Sequence, residues 1–304
     1  MIENKIISIY NKMGYQLLPN IGFTNITNFR SKICNTDDIG LRFNNKKEKH
    51  KSIFDENNLE NKKDEVVLVG SSSAMGMAAS NDQNTISSIL SNSSEYHVYN
   101  FAVRAYNGFQ EILITQALVN NLSKLKKIII VSGINDLFLF LDPNFKVNFP
   151  GPQIYGNKLF SIKKEHLRFY KRLMFNLENK KKKEINKSIN LEEVFNRNLK
   201  LWSIFSKGLN VEVIYFMQPF LTWCKNISNN ELKNMQYGES SVMKKLDNSY
   251  FSLKKIIYNS CLKNKIKFFD LNEIDFKDSD IFVDRVHLND NGFRKVSNVI
   301  KNYL

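Results

Sequence analysis

Apolar residues in this chain come in short unbroken runs, separated by longer stretches of helical periodicity. Glu65-Val66-Val67-Leu68-Val69 ends at Gly70. A run of that length closed by a turn residue reads as a strand buried on both faces. Similar runs follow at His97 to Phe101, Lys127 to Ser132 and Val211 to Met217, with a weaker fifth at Ile266 to Phe269. Between them, Phe109 to Leu122 has a helical pattern, with apolar residues at Ile112, Leu113, Ala117 and Leu118. Leu191, Phe195, Leu199, Trp202 and Phe205 recur at helical spacing. The last segment aligns Phe293, Val296 and Ile300, with Asn289 placed as its N-cap. Strands alternating with helices predict a parallel sheet covered on both faces. The right-handed preference of such crossovers makes it a mostly parallel, doubly wound, three-layer α/β/α fold.

Two regions break the alternation. Residues 1–63 are mixed in pattern and end in a polar stretch, Asn44 to Lys63. They read as an N-terminal extension joined by an exposed connection to an α/β domain over 64–304. Residues 142–190 hold Pro143, Pro150, Gly151, Pro152 and the run Lys180 to Lys183. This is an insertion relative to a minimal α/β core, either a surface excursion or a cap that shapes a substrate site.

Composition narrows the function classes. Of 304 residues, 42% are hydrophobic, enough for a sizeable core, and the formal net charge is +14. The basic residues are scattered, and no zinc-finger spacing or Gly-rich RNA-binding motif accompanies them. They read as solvated faces, so a nucleic-acid partner is not expected, while a weak attraction to anionic polymers stays open. Cys34, Cys224 and Cys261 are odd in number and widely spaced, which points to neither a disulfide framework nor a zinc site. No metal and no cofactor are expected. Met1 to Lys5 shows no secretory pattern, and no stretch approaches the roughly 20 apolar residues of a membrane span. A cytoplasmic location is the expectation.

Four short pieces carry chemistry. Ser72 follows the first core strand, where ligands of open α/β sheets sit and where a following helix offers free N–H groups. The neighbouring Ser71 and Ser73 leave open which serine acts, and a strand-to-helix turn with serine as a mere cap gives the same pattern. Asn135 falls after the strand ending at Ser132, and its amide can donate to an oxyanion without titrating. Asp284 precedes His287 by three residues, close enough for the carboxylate to orient the imidazole as a general base. His50, His97 and His166 lack such a setting, and His97 reads as a packed strand residue. The parts together suit ester cleavage through a covalent acyl-enzyme.

The ordered set Gly70-Ser71-Ser72, Asn100 to Ala105, Gly133-Ile134-Asn135-Asp136 and Asp284-Arg285-Val286-His287 resembles the SGNH/GDSL hydrolase superfamily. The likeness covers roughly 65–304 and includes Ile214 to Pro219, with its Gln-Pro ending, and His287 to Phe293. Upstream, Asp38-Ile39-Gly40-Leu41-Arg42 is similar to a lead-in found before the core of some bacterial members. The resemblance implies a flavodoxin-like sheet in a catalytic domain over 64–304. Ser72 would be the nucleophile, His287 the base and Asp284 its orienting acid. The N–H groups of Ser72 and Ala105 with the Asn135 amide would form the oxyanion hole. Two positions depart from the pattern: Ser71 stands for the usual Asp, and Ala105 for the usual Gly, although Ala tolerates positive φ poorly. The implied activity is a serine esterase acting on an O-acyl, foremost O-acetyl, ester of a carbohydrate or small molecule. An O-acyltransferase acting on a glycan shares the first half-reaction and stays open. So does a non-catalytic glycan- or polyanion-binding relative.

Overall fold

The computed structural model describes residues 6, 8–10, 12–18, 20–44, 63–141, 190–228, 231, 241–276 and 280–304. Residues 45–62 and 142–189, which hold most of the polar connection and of the insertion, lie outside them, as do His50 and His166.

An antiparallel hairpin, β1 (Tyr15–Leu18) and β2 (Gly22–Asn25), precedes the main sheet. That sheet has five strands, β3 (Glu65–Gly70), β4 (His97–Asn100), β5 (Leu125–Ser132), β6 (Glu212–Met217) and β7 (Lys267–Asp270), all parallel, in the spatial order β4-β3-β5-β6-β7. Among the described residues the helices are α1 (Ser72–Met75), α2 (Ile86–Ser93), α3 (Gly108–Leu118), α4 (Ile134–Leu141), α5 (Leu191–Leu209), α6 (Ser241–Asp247), α7 (Tyr250–Lys263) and α8 (Asp290–Lys301).

Side chains alternate across each strand, and the unbroken apolar runs therefore feed two cores at once. Val66, Leu68, Ile129 and Val131 pack with Ala74, Leu90, Phe293 and Val296 from α1, α2 and α8. Val67, Val69, Ile128 and Ile130 pack with Ile112, Leu199, Trp202 and Ile257 from α3, α5 and α7. This is the doubly wound three-layer α/β/α arrangement that the pattern predicts. Three boundaries differ for local reasons. β4 ends at Asn100, one residue early, because its side chain turns back to accept the Ala102 N–H at 3.1 Å. The predicted helix 109–122 tightens after Leu118 into a 3-10 turn, Val119–Asn121. β7 starts at Lys267 because the Ile266 N–H instead closes the end of α7 on the Cys261 carbonyl at 3.0 Å.

The described part of the N-terminal segment packs into both cores, through Ile21, Phe23 and Leu41 on one side and Tyr10, Met13 and Cys34 on the other. Arg42 carries much of this attachment. Its guanidinium is fully buried, pairs with Asp82 at 2.8 Å, and donates to the Gly76 carbonyl at 2.6 Å and to Ile33 O at 2.8 Å. Removing one member of a buried ion pair strands the other charge, at a cost of about 3–5 kcal/mol.

A second buried polar group lies beneath the carboxyl end of β5. Glu111 accepts the Ser132 hydroxyl at 2.6 Å, and burial together with nearby Asp136 pushes its carboxyl well above the ordinary value. Burial likewise raises Asp136 to about 6, although the Gly108 N–H at 2.9 Å and Arg197 oppose the shift. A carboxyl raised in the folded state favours folding while protonated, and that advantage disappears as pH rises through the folded value.

Two outcomes follow. Arg42→Met should lower the urea midpoint by an amount equivalent to about 3–5 kcal/mol, and a loss under about 1 kcal/mol would remove the ion pair from its structural role. Asp136→Asn keeps an acceptor for Gly108, so between pH 4 and pH 7 it should gain stability relative to the wild type by on the order of 2–3 kcal/mol. A pH-independent difference between the two proteins would contradict the buried-acid account.

Candidate active site

Ser72 stands at the carboxyl end of β3, in the first turn of α1. The chain reaches it through Gly70, whose φ of 152° and whose closeness to β5 both require glycine. A Cβ there would lie 2.2 Å from the Val131 carbonyl oxygen. Of the three consecutive serines, Ser71 and Ser73 are buried and Ser72 alone reaches the surface. Ser73 donates to the Val286 carbonyl at 3.1 Å and accepts from Gln218 at 3.3 Å. The Ser71 hydroxyl is buried without a hydrogen-bond partner among the described residues. The chemistry of these neighbours is thus spent on, or enclosed by, the fold.

His287 is brought to Ser72 from the far end of the chain. Its Nε2 lies 2.9 Å from Ser72 Oγ, and its Nδ1 lies 2.7 Å from Asp284 Oδ2. The other oxygen of Asp284 accepts the N–H groups of Val286 and His287, both at 2.8 Å, so one carboxylate shapes the turn and orients the ring. Partial burial pushes the Asp284 carboxyl up, but His287 and these two N–H groups outweigh it and hold it below its ordinary value. It therefore stays ionised. The loop is pinned on several sides. Glu231 accepts the N–H groups of Ile281 and Phe282, and Arg285 pairs with Asp247 at 2.8 Å. Asp290, at the start of α8, accepts the Ser80 N–H at 2.9 Å.

Asn135 opens α4 just after Gly133, which turns the chain out of β5 with φ 123°. Its Nδ2 donates to the Tyr106 carbonyl at 2.7 Å, while the Asp136 carboxylate next to it takes the Gly108 N–H. Two adjacent residues thus grip the turn that follows β4. Ala105 lies in that turn at φ 63°, the left-handed region expected to be awkward for it. Holding an alanine there costs about 1 kcal/mol. The N–H groups of Ser72 and Ala105 meet no acceptor among the described residues.

Ser72, His287 and Asp284 are therefore in direct contact, whereas Asn135 and Ala105 meet through Tyr106. The sequence reading missed two residues that hold these groups, Glu231 and Tyr106, and saw Ser73 only as a rival nucleophile. Gln218 was visible only as part of a Gln-Pro strand ending, and Glu231 and Tyr106 carry no local signal. His97 lies in β4 and packs edge-on against Tyr99, ring centroids 4.5 Å apart. Among the described residues no group of three His, Cys, Asp or Glu could hold a metal ion, and no helix is long and apolar enough to cross a membrane.

No protein-family model matches the chain, and no curated protein matches it. Solved structures similar to it include an acetyl xylan esterase, at 14% identity and a TM-score of 0.46, covering 79% of this chain and 99% of that one. A carbohydrate acetylesterase, Est24 from Sinorhizobium meliloti, is similar at 12% identity and a TM-score of 0.46, covering 79% and 98%. An aryl esterase from M. smegmatis is similar at 11% identity and a TM-score of 0.48, covering 79% and 97%. Several further neighbours are described as lipases or lipolytic proteins of the G-D-S-L family. At these identities the likeness is one of chain path, and any role for a side chain rests on the geometry of this chain's own residues.

Proposed function

We propose that this chain is an SGNH/GDSL-type serine esterase that cleaves an O-acyl ester, foremost an O-acetyl ester, of a carbohydrate or small molecule. The observation that carries the reading is the continuous contact from Ser72 Oγ to His287 Nε2, at 2.9 Å, and from His287 Nδ1 to Asp284, at 2.7 Å. A serine hydroxyl is a weak nucleophile until a base takes its proton, and a base is effective when a third group fixes its tautomer.

The reaction divides between these residues. Ser72 Oγ attacks the ester carbonyl carbon as its proton passes to His287 Nε2. The carbonyl oxygen gains the negative charge, which the N–H groups of Ser72 and Ala105 and the Asn135 amide stabilise. Asp284 stabilises the imidazolium. When the tetrahedral species collapses, the leaving alkoxide takes the proton from His287 and the acyl group stays on Ser72. Water, deprotonated by His287, then attacks the acyl-enzyme, and Ser72 departs with the proton restored. A sugar hydroxyl in place of that water would make the same machinery a transferase.

Purified protein should hydrolyse a short-chain aryl ester, and a fluorophosphonate probe should label Ser72. Ser72→Ala should lower kcat by on the order of 10⁴–10⁶-fold, and an unchanged rate would sink the proposal. Asp284→Asn should keep the fold and lower kcat by up to about 10⁴-fold, because the imidazole loses its orienting charge. Transfer of the acyl group to an added glycan in preference to water would move the assignment to the acyltransferase.

A further inference from the structure

Ala105 occupies a conformation that alanine avoids, at φ 63°, so something outside the turn must hold it there. The two residues that flank it both reach into the N-terminal segment. The Arg104 guanidinium, almost fully buried, donates to Asn25 Oδ1 at 3.1 Å, to the Gly14 carbonyl at 3.0 Å, and to the carbonyls of Tyr10 and Met13. Its face lies 4.3 Å from the Tyr15 ring centroid. Tyr106 donates its hydroxyl to the Phe23 carbonyl at 2.6 Å.

Among the described residues no carboxylate pairs with Arg104. A buried charge satisfied by neutral carbonyls alone is an expensive way to fill a core, and an apolar side chain would fill it at lower cost. What an arginine supplies is a planar fork that fixes several acceptors in one geometry. Tyr10, whose carbonyl takes one arm of that fork, also donates its hydroxyl to the carbonyls of Gly76 and Ala79, just past the helix that carries Ser72. One segment therefore grips both the Ala105 turn and the turn that closes the Ser72 helix.

We propose that Tyr10, Met13 to Tyr15 and Phe23 to Asn25 act as a splint for the oxyanion hole, with Arg104 and Tyr106 as positioning residues that hold Ala105 in its left-handed conformation and so aim its N–H at the ester oxygen. The inference rests on the esterase reading above. Neither residue touches the substrate, and their effect is on rate rather than on substrate binding.

The test is a double-substitution cycle built on Arg104→Lys, which keeps the charge but not the fork, and Ala105→Gly, which removes the cost of positive φ. Arg104→Lys should lower kcat by about 10–100-fold, a part of what losing a whole oxyanion-hole donor costs, with KM changed less than about threefold. Ala105→Gly should recover most of that loss in the double variant, because glycine holds the turn without the splint. Losses that simply multiply, or a defect confined to KM, would overturn the splint. If Arg104→Lys fails to fold, Tyr106→Phe, which removes only the bond to Phe23, takes its place in the cycle, with a loss of about 3–10-fold. Should the wild type show no turnover or labelling that depends on Ser72, the esterase reading fails separately. The same cycle is then read in melting temperature, where coupling upholds the splint as a conformational brace and additivity overturns it.

Discussion

The rest of this molecule depends on one constraint: every strand of the sheet runs the same way, and each connection must cross back over a face with a right-handed turn. The connection leaving β3 takes α1 and α2 over one face, and the one leaving β5 takes α4 and α5 to the other. Between the carboxyl ends of these two neighbouring strands the chain diverges and leaves a crevice. Ser72 sits on one lip and Asn135 on the other. Both are reached through glycines at positive φ, because a strand must leave the sheet plane within one residue at that point.

Placing groups at the crevice does not aim them. Aim comes from buried polar contacts, and the fold concentrates these around the site. Asp284 shapes its own turn with one oxygen and orients His287 with the other. Ser73 fastens the histidine loop to the helix that carries Ser72, and Asn135 and Asp136 fasten the turn of Ala105 to the start of α4. Arg42 ties the N-terminal segment to the end of the Ser72 helix, and Arg104 ties it to the turn of Ala105. Each buried charge or strained dihedral costs stability, and two well-filled apolar cores supply it. The site is stiff because the polar network leaves it few alternatives.

Local pattern was enough for the layers of the fold. Continuous apolar runs such as Val66 to Val69 and Ile128 to Val131, closed by turn residues, read as strands covered twice, and the spacing of Phe293, Val296 and Ile300 reads as a helix face. Pattern also brought out Ser72, Asn135, Asp284 and His287, since their residue types fall at strand ends or in a single turn. It went astray at boundaries, where a side chain competes with the ladder, as Asn100 does when it turns back on Ala102.

What the chain alone determined, then, was the alternation of strand and helix, the order of the four motifs and the type of chemistry they suit. Three things needed the tertiary structure. Burial chose Ser72 among three serines, because exposure depends on what packs around a turn. Long-range folding brought His287 within 2.9 Å of Ser72 across 215 positions of chain. The company kept by Ala105 also appeared only there, because hydrogen bonds from Arg104 and Tyr106 to residues some 80–90 positions away leave no trace in local pattern. Periodicity records which face of an element is buried, and it carries no record of which distant backbone will meet it.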